Sequence, residues 1–361
     1  MTLEELRKRL SDVDRKLVEL IAARQRIVAD IGAHKIEHAV PTRDYEREKE
    51  VLKAARARAE ELGIDADLAE QVMRLLIRAS LEQQEQTRVA AVTNGAGKRV
   101  LVIGGAGKMG AWFAQFLASQ GYAIEIADPS PSELPFPRID DWRKSDLTHD
   151  VILVATPIKV AAEVLGELAD RRPKGLVLDI GSLKTPLRDA LAKLVAAGCR
   201  VTSIHPMFGP DTRLLSGRHV IFVDLGVPEA TAEARGMFSA TMAELIEMSL
   251  EDHDRLIAFV LGLSHALNIV FFTALANSGE LVPRLKQLSS TTFDAQLKVA
   301  ALVARDNPHL YFDIQTLNEY GLTALDALKN AAETIRGLVE RRDEAGFVAL
   351  MEAGRRYLED R

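Results

Sequence analysis

The sequence predicts a multidomain fold: an all-α N-terminal domain, a doubly wound parallel α/β sheet, and an all-α C-terminal domain. Three observations predict it. Apolar residues recur every three or four positions from Leu3 to about Lys35, six short β-branched runs alternate with helical patterns between Arg99 and Asp224, and strand signals cease beyond about Glu251. A chain of 361 residues exceeds one ordinary core. The boundaries fall at 1–90 for the helical domain, 91–98 for a linker, 99–250 for the sheet domain and 251–361 for the last helices.

In the first segment the periodic positions are Leu3, Leu6, Leu10, Val13, Leu17, Leu20, Ile21, Ile27, Val28 and Ile31, with no proline before Pro41. A single helix of that extent is about 50 Å long. It needs partners along its length, either later helices of the same chain or a second copy. Two further helices are expected over Arg43–Leu62 and Asp67–Gln86, with Gly63 as a stop and Asp65 as a cap. The polar stretch TNGAGK at 93–98 reads as the linker. After it come RVLVIG at 99, AIEIAD at 123, VILVAT at 151, GLVLDI at 175, RVTSIH at 200 and HVIFVD at 219, alternating with helices as a parallel sheet requires.

Composition narrows the function classes. A net charge of −6 argues against nucleic acid as a partner, because phosphate-tracking surfaces are basic. The single cysteine, Cys199, fits a reducing compartment, and the charged start MTLEELRKRL lacks a signal-peptide core, so a cytoplasmic protein is expected. Leu256–Ala276 is the most apolar stretch, but Ser264, His265 and Asn268 interrupt it. It is read as a buried helix, with no membrane as partner.

The first strand runs into Gly104-Gly105-Ala106-Gly107-Lys108-Met109-Gly110, with a helix expected from near Ala111. Gly105, Gly107 and Gly110 make GxGxxG in its required strand–turn–helix context, the pattern of a Rossmann-like dinucleotide fold. One glycine permits the turn, one lets amides approach a pyrophosphate, and one lets helix and strand pack closely. Lys108 and Met109 complete the loop. Asp128, about 20 residues beyond, ends the second strand, where a carboxylate accepts hydrogen bonds from ribose hydroxyls and repels a 2′-phosphate. NAD is therefore the expected cofactor, with no metal.

His205, in IHPMFGP, ends a predicted strand, and ligands of open parallel sheets sit at such carboxyl ends. A lone histidine is more often structural, but this place favours an imidazole that accepts a substrate hydroxyl proton as hydride leaves carbon. Ser182, in DIGSLK, is placed to orient that ring. Asp179 and Lys184 read as strand-end and solvated residues, His253 in EDHD as a helix-start residue, and His265 as either a core histidine or a ligand.

These residues carry a resemblance. VIGGAGKMG, VATP with Thr156, DIGSLK, IHPMFGPD, EDHD, LSS and NPHLY look like the prephenate dehydrogenase family from about Arg99 onwards, HPMFGP being the most specific element. The resemblance implies NAD-dependent oxidative decarboxylation of prephenate to 4-hydroxyphenylpyruvate, dimerisation through the C-terminal helices and inhibition by tyrosine. It also implies that His205 receives the hydrogen bond of the ring hydroxyl, that Ser182 supports it and that His265 lies near substrate. One departure is Asp294, which stands where relatives carry a carboxylate-binding arginine, leaving Arg213, Arg284 and Arg305 as alternatives.

On the first helix Arg24 and Lys35 are eleven residues apart and share a face, whereas Arg7 falls about 100° away, suited to a different site such as a partner's. Asp44, Arg47 and Glu48 have i, i+3, i+4 spacing, and Ser80 and Gln84 are four apart. Spacing alone would describe solvated helix faces. The whole set nevertheless resembles the all-helical chorismate mutase family across residues 3–86 without a gap. That resemblance implies chorismate as substrate, arginines clamping its two carboxylates, and Lys35 and Gln84 hydrogen-bonding the ether oxygen. The fusion is coherent, since prephenate, the product of the first activity, is the substrate of the second. The alternative is a single dehydrogenase, acting on prephenate or arogenate, with a helical dimerisation arm.

Overall fold

The protein is described from a computed structural model covering residues 1–359. Three helices, α1 (Leu3–Glu37), α2 (Tyr45–Glu61) and α3 (Ala66–Ala91), come first. They precede β1 (Arg99–Ile103), α4 (Lys108–Ser119), β2 (Ala123–Ala127), β3 (Arg138–Ile139), β4 (Val151–Val154), α5 (Ile158–Arg171), β5 (Leu176–Asp179) and α6 (Arg188–Ala196). Then follow β6 (Val201–Pro206), β7 (His219–Val223), α7 (Pro228–Gly236), β8 (Glu244–Met248) and α8 (Leu250–Ile257). A π-helical segment, Ala258–Leu263, joins α8 to α9 (Ser264–Asn277), followed by α10 (Val282–Gln287), α11 (Thr291–Arg305), α12 (Pro308–Leu317), α13 (Gly321–Glu340) and α14 (Glu344–Glu359). The chain divides into two compact units. One holds Met1–Thr156, Arg171–Ile180 and Val195–Glu247, and the other holds Pro157–Asp170, Gly181–Leu194 and Met248–Arg361.

In the first unit α1 opens on a capping box, Glu5 N donating to Thr2 Oγ1 at 3.2 Å and Thr2 N to Glu5 Oε2 at 2.7 Å. Asp44 and Asp65 cap α2 and α3. Along α1 the stripe Leu3, Leu6, Leu10, Val13, Leu17 and Leu20 stays 45–67% exposed, so its own chain leaves that face uncovered. Covering such side chains is worth about 1.5–3 kcal/mol each. Residues 93–98 are not a free tether, since Gly95 N donates to Gln120 O at 3.1 Å and a Cβ on Gly95 would strike Tyr122 at 2.3 Å.

The sheet has the order β3-β2-β1-β4-β5-β6-β7-β8, with every pair from β3 to β6 parallel. Strand order reverses beside β1, which makes the ends of β1 and β4 the expected ligand crevice. The expectation of parallel strands fails at β7, which pairs antiparallel with β6. Residues 207–218 between them hold no crossover helix, and a parallel return needs one. The core lies on one sheet face, where Val100, Val102, Ile126, Leu153, Ile204 and Phe222 meet Phe113 and Leu117 of α4 and Ala230 and Ala234 of α7. Alternation sends Ser203 and His205 to the opposite face.

In the second unit, α8, the π segment and α9 form a helix long and apolar enough to cross a membrane. The sequence reading made it buried; in the structure Leu256, Phe259, Val260, Leu267 and Val270 are 43–54% exposed. Apolar composition reports burial in the assembled protein, which one chain need not supply.

Candidate active sites

The dinucleotide loop closes as its glycines require. Gly104 has φ +86°, and a Cβ there would lie 2.8 Å from the Ala155 carbonyl and Thr156 N at the end of β4; a Cβ on Gly110 would lie 2.2 Å from Gly104 O. The helix starts at Lys108, three residues before the expected Ala111, so Lys108, Met109 and Gly110 supply its free first-turn amides. Gly107 caps it without a side-chain bond, leaving those amides for an anion. Asp128 is 9% exposed; it accepts from Ala106 N at 3.0 Å and Ser130 N at 2.9 Å, which fixes the carboxylate beside the loop with acceptor capacity to spare. Thr156 Oγ1 is buried without a protein partner. A glycine cradle, bare helix amides, a fixed carboxylate and an unsatisfied hydroxyl together suit NAD.

His205 is 3% exposed, next to the last residue of β6 and opposite Ile221 of β7. Asp179, called a strand-end residue from sequence, is fully buried and in register with Ser203.

In the second unit Ser182 sits in a loop anchored by Asp254. That carboxylate accepts from Lys184 N at 2.9 and 3.1 Å, from Thr185 N and Oγ1, and pairs with His253 Nδ1 at 2.6 Å. Burial opposes its charge, but bonds from His253, the Thr185 hydroxyl and the two amides prevail and hold the carboxyl below its usual range. His253 and Lys184 are therefore neither a surface helix-start residue nor a solvated one, both being fully buried. His265 stacks on Tyr311 of the NPHLY segment, ring centroids 4.1 Å apart and 18° from parallel. Burial lowers its pKa, so the ring is neutral near pH 7, and its Nδ1 is buried with no partner. The Tyr311 hydroxyl donates to Asp306 at 3.2 Å; burial and then Asp306 push its pKa up to about 12. Asp294 accepts from Ser289 Oγ at 2.6 Å, and of the three alternative arginines Arg284 pairs with Glu280 at 3.2 Å, Arg213 lies 3.9 Å from Glu82, and Arg305 is exposed.

Between α1 and α3 the structure brings Arg24 to Ser80 and Gln84 to Gly32, with Lys35 three residues further along α1. Arg24 donates to Ser80 Oγ and, at 3.0 Å, to Leu76 O; Gln84 lies against Gly32. Ser80 and Gln84 are 5% and 8% exposed, and Gln84 Oε1 has no partner. Lys35 Nζ donates to Thr42 O at 2.6 Å, and Arg88 to Thr42 Oγ1 at 3.1 Å. Asp44 is engaged as a helix cap, Arg47 points to solvent beside Glu50, and Arg7 is exposed on α1. Glu48 is held bidentately by Arg43 at 2.8 and 3.1 Å. Arg43, Tyr311 and Asp254 were missed from sequence. Only the NPHLY and EDHD contexts could have drawn notice to Tyr311 and Asp254, and nothing marked Arg43, because partners 5 to 70 positions away do not show in periodicity.

Fold and sites together define an NAD-linked Rossmann dehydrogenase joined to a helical domain whose polar cluster suits an anionic substrate. Chorismate mutase type II matches residues 6–85, the nucleotide-binding domain of prephenate dehydrogenase 133–246, and its dimerisation domain 249–353. The T-protein of Enterobacter agglomerans is 28% identical over 350 residues, covering 96% of this chain and 90% of that protein. The chorismate mutase of Methanocaldococcus jannaschii is 30% identical over 84 residues, 23% of this chain and 85% of that protein. Prephenate dehydrogenase from Aquifex aeolicus, solved with hydroxyphenyl propionate and NAD+, has the same fold, with a TM-score of 0.57 and 21% identity over 73% of this chain and 98% of that one. The chain belongs to the bifunctional chorismate mutase and prephenate dehydrogenase family. It is an isomerase and an NAD-dependent oxidoreductase of tyrosine biosynthesis, and its C-terminal helices are a dimerisation domain, which explains their uncovered apolar face.

Proposed function

We propose how its residues divide the two reactions. In the helical site Arg24, with Ser80, holds one end of chorismate, and Asp44 and Glu48 at the start of α2, joined by Arg47 once it leaves Glu50, bind the other end. Lys35 and Gln84 donate to the ether oxygen as negative charge builds there. The rearrangement is pericyclic, so these groups act by holding a compact conformer and stabilising separating charge, with no nucleophile or proton transfer. Arg7, exposed and turned from this cluster, serves the same site in a second copy of the chain, which the uncovered stripe of α1 supports.

In the dehydrogenase, Gly105, Gly107, Lys108, Met109 and Gly110 hold the pyrophosphate, Asp128 the ribose hydroxyls, and Thr156 a further polar group. The bound nicotinamide supplies the acceptor for the hydride that leaves the hydroxyl-bearing ring carbon. His205 takes the hydrogen bond, and with it the growing positive charge, of that hydroxyl; the ring carboxylate departs as carbon dioxide and its bonding pair completes the aromatic ring. Ser182 and neutral His265 keep the supporting and substrate-binding roles that the family resemblance gives them. The single observation that carries this reading is His205, buried beside the end of β6 on the sheet face opposite the α4–α7 core. Asp128→Ser tests the cofactor half: the ratio of kcat/KM for NAD over NADP is expected to fall at least about tenfold, since charge repulsion of the 2′-phosphate is lost. An unchanged ratio removes Asp128 from that role.

Tyrosine, a 4-hydroxyphenyl compound like the product, acts as inhibitor by occupying the ring subsite. Millimolar tyrosine is expected to slow NADH formation, and an unaffected rate refutes it. Reducing conditions suit the lone buried Cys199, and the cytoplasm is the proposed location.

A further inference from the structure

Glu85, beside Gln84 on α3, is 3% exposed, and neither reaction uses it. Its two oxygens each accept a backbone amide from a different loop of the sheet domain, Oε2 from Leu215 at 2.7 Å and Oε1 from Met242 at 2.5 Å. Leu215 belongs to residues 207–218, the segment that leaves β6 directly after His205 and Pro206. The same segment is tied at Met207, whose N donates to His219 O at 2.9 Å, and at Thr212, whose carbonyl accepts from Trp112 Nε1 at 2.9 Å. Trp112 stands on α4, the helix that opens at the dinucleotide loop. Arg43, the residue that grips Glu48, adds a bond to Ser216 Oγ at 2.8 Å.

A buried carboxylate is a costly way to join two surfaces, and burial raises this one's pKa against the two amide bonds that lower it. Apolar packing would supply adhesion without that cost. What a carboxylate adds is register, because two amides from separate loops must converge on one rigid group. A cavity of about 790 Å³ beside it, lined by Trp112, Phe116, Thr212, Leu215 and Thr241, leaves the segment short of packing on that side.

We propose that Glu85 is a positioning residue of the dehydrogenase supplied by the mutase helix: it fixes the segment behind His205, so NAD-dependent turnover relies on the mutase domain being docked. The proposal rests on His205 being the proton acceptor. The test uses the full chain with Glu85→Ala, Glu85→Gln, Glu85→Asp and, as control, Glu82→Ala. Alanine removes both acceptors; glutamine keeps the size but turns an N–H toward one donor. Dehydrogenase kcat is expected to fall at least about tenfold more than mutase kcat in the alanine and glutamine variants, with KM for NAD within about twofold, as misplacement without loss of binding dictates. Hydrogen exchange should quicken in 207–218 and 240–243, Glu85→Asp should recover part of the rate, and Glu82→Ala should match the parent. An unchanged dehydrogenase kcat, or equal loss of both activities in both variants, overturns the proposal. His205→Ala run in parallel separates the two claims: if it is inactive while Glu85→Ala is not, only the Glu85 role fails.

Discussion

Replacing His205 with alanine is expected to lower NADH formation from prephenate about 10²–10⁴-fold while chorismate loss proceeds at the parent rate. The large effect follows from the site. The ring is 3% exposed, so water cannot easily take its place as acceptor of the hydroxyl proton. The GxGxxG loop and Asp128 lie elsewhere in the sheet, so NAD affinity should change little, which equilibrium binding by fluorescence checks. A loss of NAD binding equal to the loss of rate would assign His205 to the cofactor instead.

The second large effect belongs to Lys35→Ala, expected to cut mutase kcat at least about 10²–10³-fold, the scale for removing one preorganised donor from a developing charge. Lys35 already donates to Thr42 O at 2.6 Å, in a cluster where Gln84 Oε1 has no partner, so the ammonium is held with little freedom. Dehydrogenase turnover measured with supplied prephenate should be preserved. A fall in both activities would mean that α1 has lost its packing on α3.

Long periodic segments were legible in the sequence for a physical reason. Over α1, repeated 3.6-residue spacing leaves one solution, and the observed Leu3–Glu37 extends the expected helix by two residues. The glycine loop was equally plain, because its steric demand is local. What stayed hidden depends on partners remote in the chain. EDHD looks like a charged helix start, yet His253 and Asp254 are fully buried because the carboxylate collects amides 69 and 70 positions away. Glu85 reads as one more acidic residue on a polar helix. The apolar run across α8 and α9 read as a buried helix, yet Leu256, Phe259, Val260, Leu267 and Val270 stay exposed in one chain, and the match to a dimerisation domain gives that face a surface to meet.

The most direct measurement supplies chorismate to the full chain with and without NAD, following chorismate by its absorbance and NADH by fluorescence. Two sites working in succession predict chorismate loss without NAD, no NADH under that condition, and NADH appearing after a lag once NAD is present. Chorismate that persists until NAD is added, or NADH that forms in the Lys35→Ala protein as fast as in the parent, would contradict the division of labour between the helical cluster and His205.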